Sequence, residues 1–93
     1  MAEISVTRTD SGPFGSRFHV SVREGDSVTR HDVSVSASDF QALGGGYRTP
    51  EDFIHACFEF LLEREPKEQI LASFDISEIG RYFPEFVAQI QRG

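Results

Sequence analysis

Apolar and polar residues alternate along three stretches in the first third of the chain. Ile4 and Val6 alternate with Ser5 and Thr7, and Phe18, Val20 and Val22 with Arg17, His19, Ser21 and Arg23. His31, Val33 and Val35 alternate with Asp32 and Ser34. A period of two is the mark of strands with one buried face. The pattern predicts three strands in a meander. A longer loop is expected over DSGPFGS at 10–16, and a tight turn at Glu24-Gly25-Asp26-Ser27, where Gly25 can take positive φ. A two-residue turn at Gly25-Asp26 makes residues whose numbers sum to 51 face each other. Phe18 then opposes Val33 and Val20 opposes His31 on the apolar face, while His19 opposes Asp32 and Ser21 opposes Arg30 on the wet face.

Beyond residue 37 the pattern changes to helical spacing. Ser38 followed by Gln41 reads as a capping box for a short helix, stopped by Gly44-Gly45-Gly46, the one place where a hinge is expected. Thr49 caps the strongest helix, 50–63, with Pro50 at its first position and Glu51 and Asp52 in its first turn. Phe53, Ile54, Ala56, Cys57, Phe58, Phe60, Leu61 and Leu62 cover most of that helix, leaving a polar stripe of Glu51, His55, Glu59 and Glu63. So broad an apolar surface predicts cover from two sides, by the sheet and by later helices. Pro66 ends the helix and starts a further turn carrying Ile70, Leu71 and Phe74. Asp75 with Glu78 is a second capping-box pattern, Pro84 breaks the helix it opens, and a last short helix carries Phe86, Val87 and Ile90. The expected fold is one α+β domain over 1–93: strands over 1–36, forming a three-stranded antiparallel meander, then three to four helices over 37–93 packed on one face. Such a sheet keeps open edges, through which a homodimer could pair.

Composition narrows the function. Of eleven Phe and Tyr residues, nine lie at or after Phe40, so the helical part carries most of the core. The net charge of −6 is uneven: residues 1–48 hold five arginines against six acidic residues, whereas residues 49–93 hold four basic against nine acidic. An acidic helical half repels phosphate backbones and suits a basic protein partner. Nucleic acid is therefore disfavoured. With Cys57 as the single cysteine, no intrachain disulfide can form. The polar start MAEISVTRTD lacks the apolar core of a signal peptide, and no apolar run is long enough to span a membrane, so the expected location is the cytoplasm.

Several groups of residues are of types that can carry chemistry. A carboxylate beside an imidazole can orient a general base, so His19 with Asp32 is the sharpest catalytic candidate; the competing reading is an ordinary cross-strand surface pair. His31, on the apolar face, reads as a satisfied, half-buried histidine. His19, His31, His55 and Cys57 show no metal-ligand spacing, and no metal or cofactor is expected. His55 and Glu59 read as a helix-surface pair. The three glycines lack the Lys-Ser/Thr of a phosphate loop. Arg17, Arg23, Arg30 and Arg8 could share the wet face of the sheet, but RNA-reading sheets display aromatic residues there, and this face has none. The polar residues least explained by folding are Arg64 and Glu65 before Pro66, and Arg81 and Tyr82 before Pro84. Arg and Tyr are favoured at interface hot spots, so these four are the candidate partner-binding residues.

The run FEFLLEREPKEQIL followed by SFDISEIGRYFPEF resembles a segment of short, uncharacterised bacterial proteins. The resemblance spans roughly residues 53–90 and implies a stand-alone small bacterial protein. It carries no activity and no functional residue with it. The expected function is a small non-catalytic protein-interaction or regulatory module, antitoxin-like or accessory. The alternatives are a small hydrolase or nuclease-like enzyme using His19 and Asp32, and RNA binding through the arginine-bearing sheet face.

Overall fold

A computed structural model describes residues 2–91. The pairing of β2 (Gly15–Glu24) with β3 (Ser27–Ser36) follows the expected register throughout, including Phe18 with Val33, Val20 with His31 and His19 with Asp32. Gly25, at φ 60°, makes this possible; it is the only described residue with positive φ, where a Cβ would cost about 1 kcal/mol or more. Phe18, Val20, Val22, His31, Val33 and Val35 are buried, and the residues that alternate with them are not.

The strand β1 (Glu3–Gly12) runs further than its apolar alternation suggests. There is no long loop at 10–16: Gly12 pairs with Gly15 across a tight turn of Pro13 and Phe14. That turn alone would set a register with Ile4 opposite Arg23, on the wrong face. A bulge between Arg8 and Asp10 shifts the pairing by one residue, so that Ile4 meets Val22 and Val6 meets Val20. One inserted residue moves a whole strand's side chains to the other face. The same shift sets Arg8 opposite Phe18, on the helix-covered side rather than the wet face with Arg17, Arg23 and Arg30. There its guanidinium forks onto Glu51 at 2.7 and 3.2 Å.

The sheet has four strands, in the order β1-β2-β3-β4, and not three. The strand β4 (Ser73–Asp75) lies parallel to β3, with Phe74 beside Val33. The segment after Pro66 thus forms one 3-10 turn, Lys67–Gln69, and then extends, in place of the expected helical turn through Phe74. Three residues are too few to show alternation, and β3 supplies what local sequence lacks. The Asp32 N–H, turned away from β2, donates to the Ala72 carbonyl at 2.8 Å. Ser34 donates to Asp75 at 2.6 Å. His31 is fully buried, not half-buried; its Nδ1 donates to the Leu71 carbonyl at 2.8 Å, and its Nε2 meets the Thr29 hydroxyl at 2.9 Å.

Helix α1 (Ala37–Leu43) is capped by Ser36, whose hydroxyl accepts from the Asp39 N–H at 3.0 Å, two residues before the expected Ser38. Of the three glycines after it, Gly45 and Gly46 are exposed and Gly44 is held in place. Gly44 is buried against the Phe40 ring, where any Cβ would clash, and the Tyr47 hydroxyl donates to the Ile90 carbonyl at 2.8 Å. Helix α2 (Pro50–Leu62) starts as expected: Thr49 accepts from the Asp52 N–H at 3.1 Å. It buries Phe53, Ile54, Cys57, Phe58, Phe60 and Leu61 in one cluster with the sheet, and meets Phe86 of α4 (Phe86–Ile90) through Phe60, ring centres 5.0 Å apart. Each large side chain so buried contributes roughly 1.5–3 kcal/mol. Between them, the Asp75–Glu78 capping box forms as read and leads through a 3-10 turn into α3 (Ile79–Tyr82). The core lies between the inner sheet face and α2, α3 and α4, while the outer face of the sheet is polar and open.

Candidate functional site

The end of α2, the turn after it, β4 and α3 do not close completely on one another. They leave an apolar groove of about 360 Å³. Leu61, Ile70, Phe74 and Ile79 are buried and form its floor. Leu71 and Tyr82 stand at its rim, 48% and 68% exposed. Two carboxylate residues, Glu65 and Glu78, line it, and no basic side chain does. The geometry follows from local signals. Helix α2 ends at Leu62, and Pro66, which cannot continue it, sends the chain away just after Glu65. The capping box holds the Glu78 carboxylate on the Asp75 N–H at 2.9 Å, which fixes where α3 begins and where Tyr82 emerges.

Two of the four residues expected to bind a partner, Glu65 and Tyr82, therefore line this groove. Arg81 is exposed on α3 but outside the lining. Arg64 serves the fold. Its guanidinium lies 3.6 Å from the Phe60 ring centre, and it donates to Glu85 at 3.0 Å, to Gln89 at 3.1 Å and to the Phe60 carbonyl at 3.1 Å. The Glu85 carboxyl is held below its usual range by a backbone N–H and by Arg64.

His19 and Asp32 do meet, with Nδ1 and Oδ1 3.1 Å apart. Their side chains are 41% and 74% exposed on the open sheet face. Asp32 lines a polar depression of about 550 Å³ with Arg17, Ser73, Asp75 and Glu78, but His19 does not. The Ser34 hydroxyl on that face donates to Asp75 rather than to His19. The pair has the geometry of a surface cross-strand contact, with no hydroxyl or thiol lined up on the imidazole. Arg17, Arg23 and Arg30 share the face with Glu3, Asp10, Asp32 and Asp75, by the strand registers. Among the described residues of the strands, no Phe or Tyr stands on that face to stack a base.

His55 and Glu59 form the expected helix-surface pair at 3.3 Å. Cys57 is wholly buried, and burial pushes its thiol far above the usual range, which leaves it a core residue rather than a nucleophile. Lys67 is 3% exposed, and its ammonium is bound by Glu68 and lies 3.7 Å from Glu24. This ion cluster ties the turn after α2 to the β2–β3 hairpin. The Glu68 hydrogen bond, aided by both charges, raises the lysine above its ordinary value. Among the described residues, no group of three or more His, Cys, Asp or Glu gathers as a metal site. No described helix is long and apolar enough to cross a membrane.

Sequence reasoning passed over two exposed apolar residues, Leu71 and Phe14. Helical spacing puts Leu71 on a face with Ile70 and Phe74, and its exposure follows from the extended course into β4. Phe14 is 87% exposed at the tip of the first hairpin. A Pro-Phe pair between Gly12 and Gly15 was the available signal, because a side chain at a two-residue turn tip has no core to enter.

No family model, curated protein or solved structure compared with this chain matches it.

Proposed function

We propose that this chain is a small non-catalytic interaction or regulatory module of the cytoplasm, accessory or antitoxin-like in role. Its docking surface in this reading is the groove between α2, β4 and α3. The carrying observation is that Leu71 and Tyr82 stand exposed over a buried apolar floor while the only charged side chains lining the groove are acidic. Contiguous exposed apolar surface with a polar rim marks an interaction site. The partner it suits is a basic protein segment, with one or two apolar side chains for the groove and Lys or Arg beside them for Glu65 and Glu78. Tyr82 would serve as the anchor and the acidic half as the steering field.

The test is selection of displayed random peptides on the immobilised full chain. Selected peptides should carry an apolar residue flanked by Lys or Arg. Their binding should fall at least about tenfold in Leu71→Asp and in Tyr82→Ala, and weaken with added salt. Recovery of no peptide above background, or binding unchanged in both variants, would sink the reading.

A further inference from the structure

A second surface lies at the tip of the first hairpin, outside the groove lining. We propose that the chain also pairs with a second copy of itself around a two-fold axis, each Phe14 seating in an apolar hollow of the other copy. Phe14 is the most exposed of the large hydrophobic residues, at 87%. It is not on a loose loop. The Gly12–Gly15 pair closes the turn, and the Phe14 carbonyl accepts from the Ala37 N–H at 2.9 Å. That bond also satisfies one of the N-terminal N–H groups of α1. A ring presented on a tied turn loses little freedom when it docks, which is the property of an interface anchor.

The receiving feature lies directly beside the anchor. A hollow of about 400 Å³ opens between the hairpin tip and α1, with Val35, Ala37, Phe40 and Pro50 among its lining. Gly15, the next residue after Phe14, and Ala37, which binds its carbonyl, both belong to that wall. Knob and hollow thus share one surface. That is the requirement for an isologous contact, in which one patch meets itself and the assembly closes at two copies.

Charge favours a second copy over a basic partner at this end. Residues 1–48, within which the first three strands and α1 fall, carry five arginines against six acidic residues. The acidic excess lies in residues 49–93, with four basic against nine acidic. Two copies joined through Phe14 bring together their near-neutral parts, while a basic partner is drawn to the acidic half.

Sedimentation equilibrium of the full chain, from micromolar to millimolar concentration, tests this. The weight-average mass should rise from that of one chain towards twice that value. Phe14→Ser should raise the dissociation constant at least about 30-fold, the loss expected for an interface anchor. Ala37→Gln, which fills the hollow, should do the same, and both variants should keep the unfolding midpoint that the wild type shows at concentrations where it is monomeric. A mass that stays monomeric across the range overturns the proposal. So does a dimer indifferent to Phe14→Ser; if Val6→Pro breaks that dimer instead, the contact belongs to the free edge of β1.

Discussion

The Arg64 guanidinium lies over the Phe60 ring, 3.6 Å from its centre, and from there donates to Glu85 and Gln89. One side chain therefore closes the C-terminal turn of α2, covers an aromatic core residue and holds α4. Replacement by Ala should destabilise the fold by about 1–2 kcal/mol, from the lost cation–π contact and the lost bond to the Phe60 carbonyl. Arg64→Lys should recover only part of this, because an ammonium cannot stack and fork at once. Denaturant unfolding with an unchanged slope checks both variants. In the proposed function, neither substitution alters the groove chemistry beyond its effect on stability.

His31 joins β3 to the segment entering β4. Its Nδ1–H is fixed by the Leu71 carbonyl, which can only accept, and its ring lies 5.4 Å from that of Phe58. His31→Leu keeps the apolar bulk but strands the Leu71 carbonyl and the Thr29 hydroxyl. The expected cost is about 1–3 kcal/mol. Hydrogen exchange should show the loss concentrated at Asp32 and Ser34, whose pairing with β4 depends on this tie. Uniform exchange changes across the molecule would contradict that role.

Acid should weaken the fold in a defined window. Glu51 is held below its ordinary value by the Arg8 hydrogen bond, and Glu68 by that of Lys67. For Asp75, burial alone would raise the carboxyl, but hydrogen bonds from Ser34 and Ser77 outweigh it. Carboxylates depressed in the folded state contribute stability above their ordinary values of 4.5 for Glu and 3.8 for Asp, and lose it as pH falls through the folded values. The unfolding midpoint should be level near neutrality and fall below pH of about 4.5. Arg8→Met should make that acid limb shallower. Lys67 acts at the opposite end: raised in the fold, it contributes below its ordinary 10.5 and is lost as pH climbs past that value.

Cys57 should be silent in the native state. It is wholly buried and its thiol is pushed up by burial. A thiol reagent in excess should therefore react at the rate of global unfolding, and accelerate with denaturant as unfolding does. Fast labelling under native conditions would mean that α2 opens locally.

Much of the fold was legible residue by residue. The β2–β3 register follows from Gly25 and the alternation on both sides of it. The start of α2 follows from Thr49 and Pro50, and the entry to α3 from Asp75 and Glu78. In the candidate site, Glu65 and Tyr82 stood out because local structure did not require them, and both reach the groove. Arg64 stood out for the same reason and was misplaced, since its partners Glu85 and Gln89 lie 21 and 25 residues away.

Turns, caps and alternation act across a few residues, so the sequence by itself determined those elements and the face each one buries. Tertiary structure decided what depends on distant partners. The three residues of β4 become a strand because Asp32 presents an outward N–H and Phe74 has a place in the core. The bulge before Asp10 exists because Ile4 and Val6 must face α2 despite a turn that sets them otherwise. Arg8 leaves the wet face for Glu51 through the same shift. The groove, too, arises only where α2, β4 and α3 meet, since Leu61, Phe74 and Ile79 of its floor come from three separate elements.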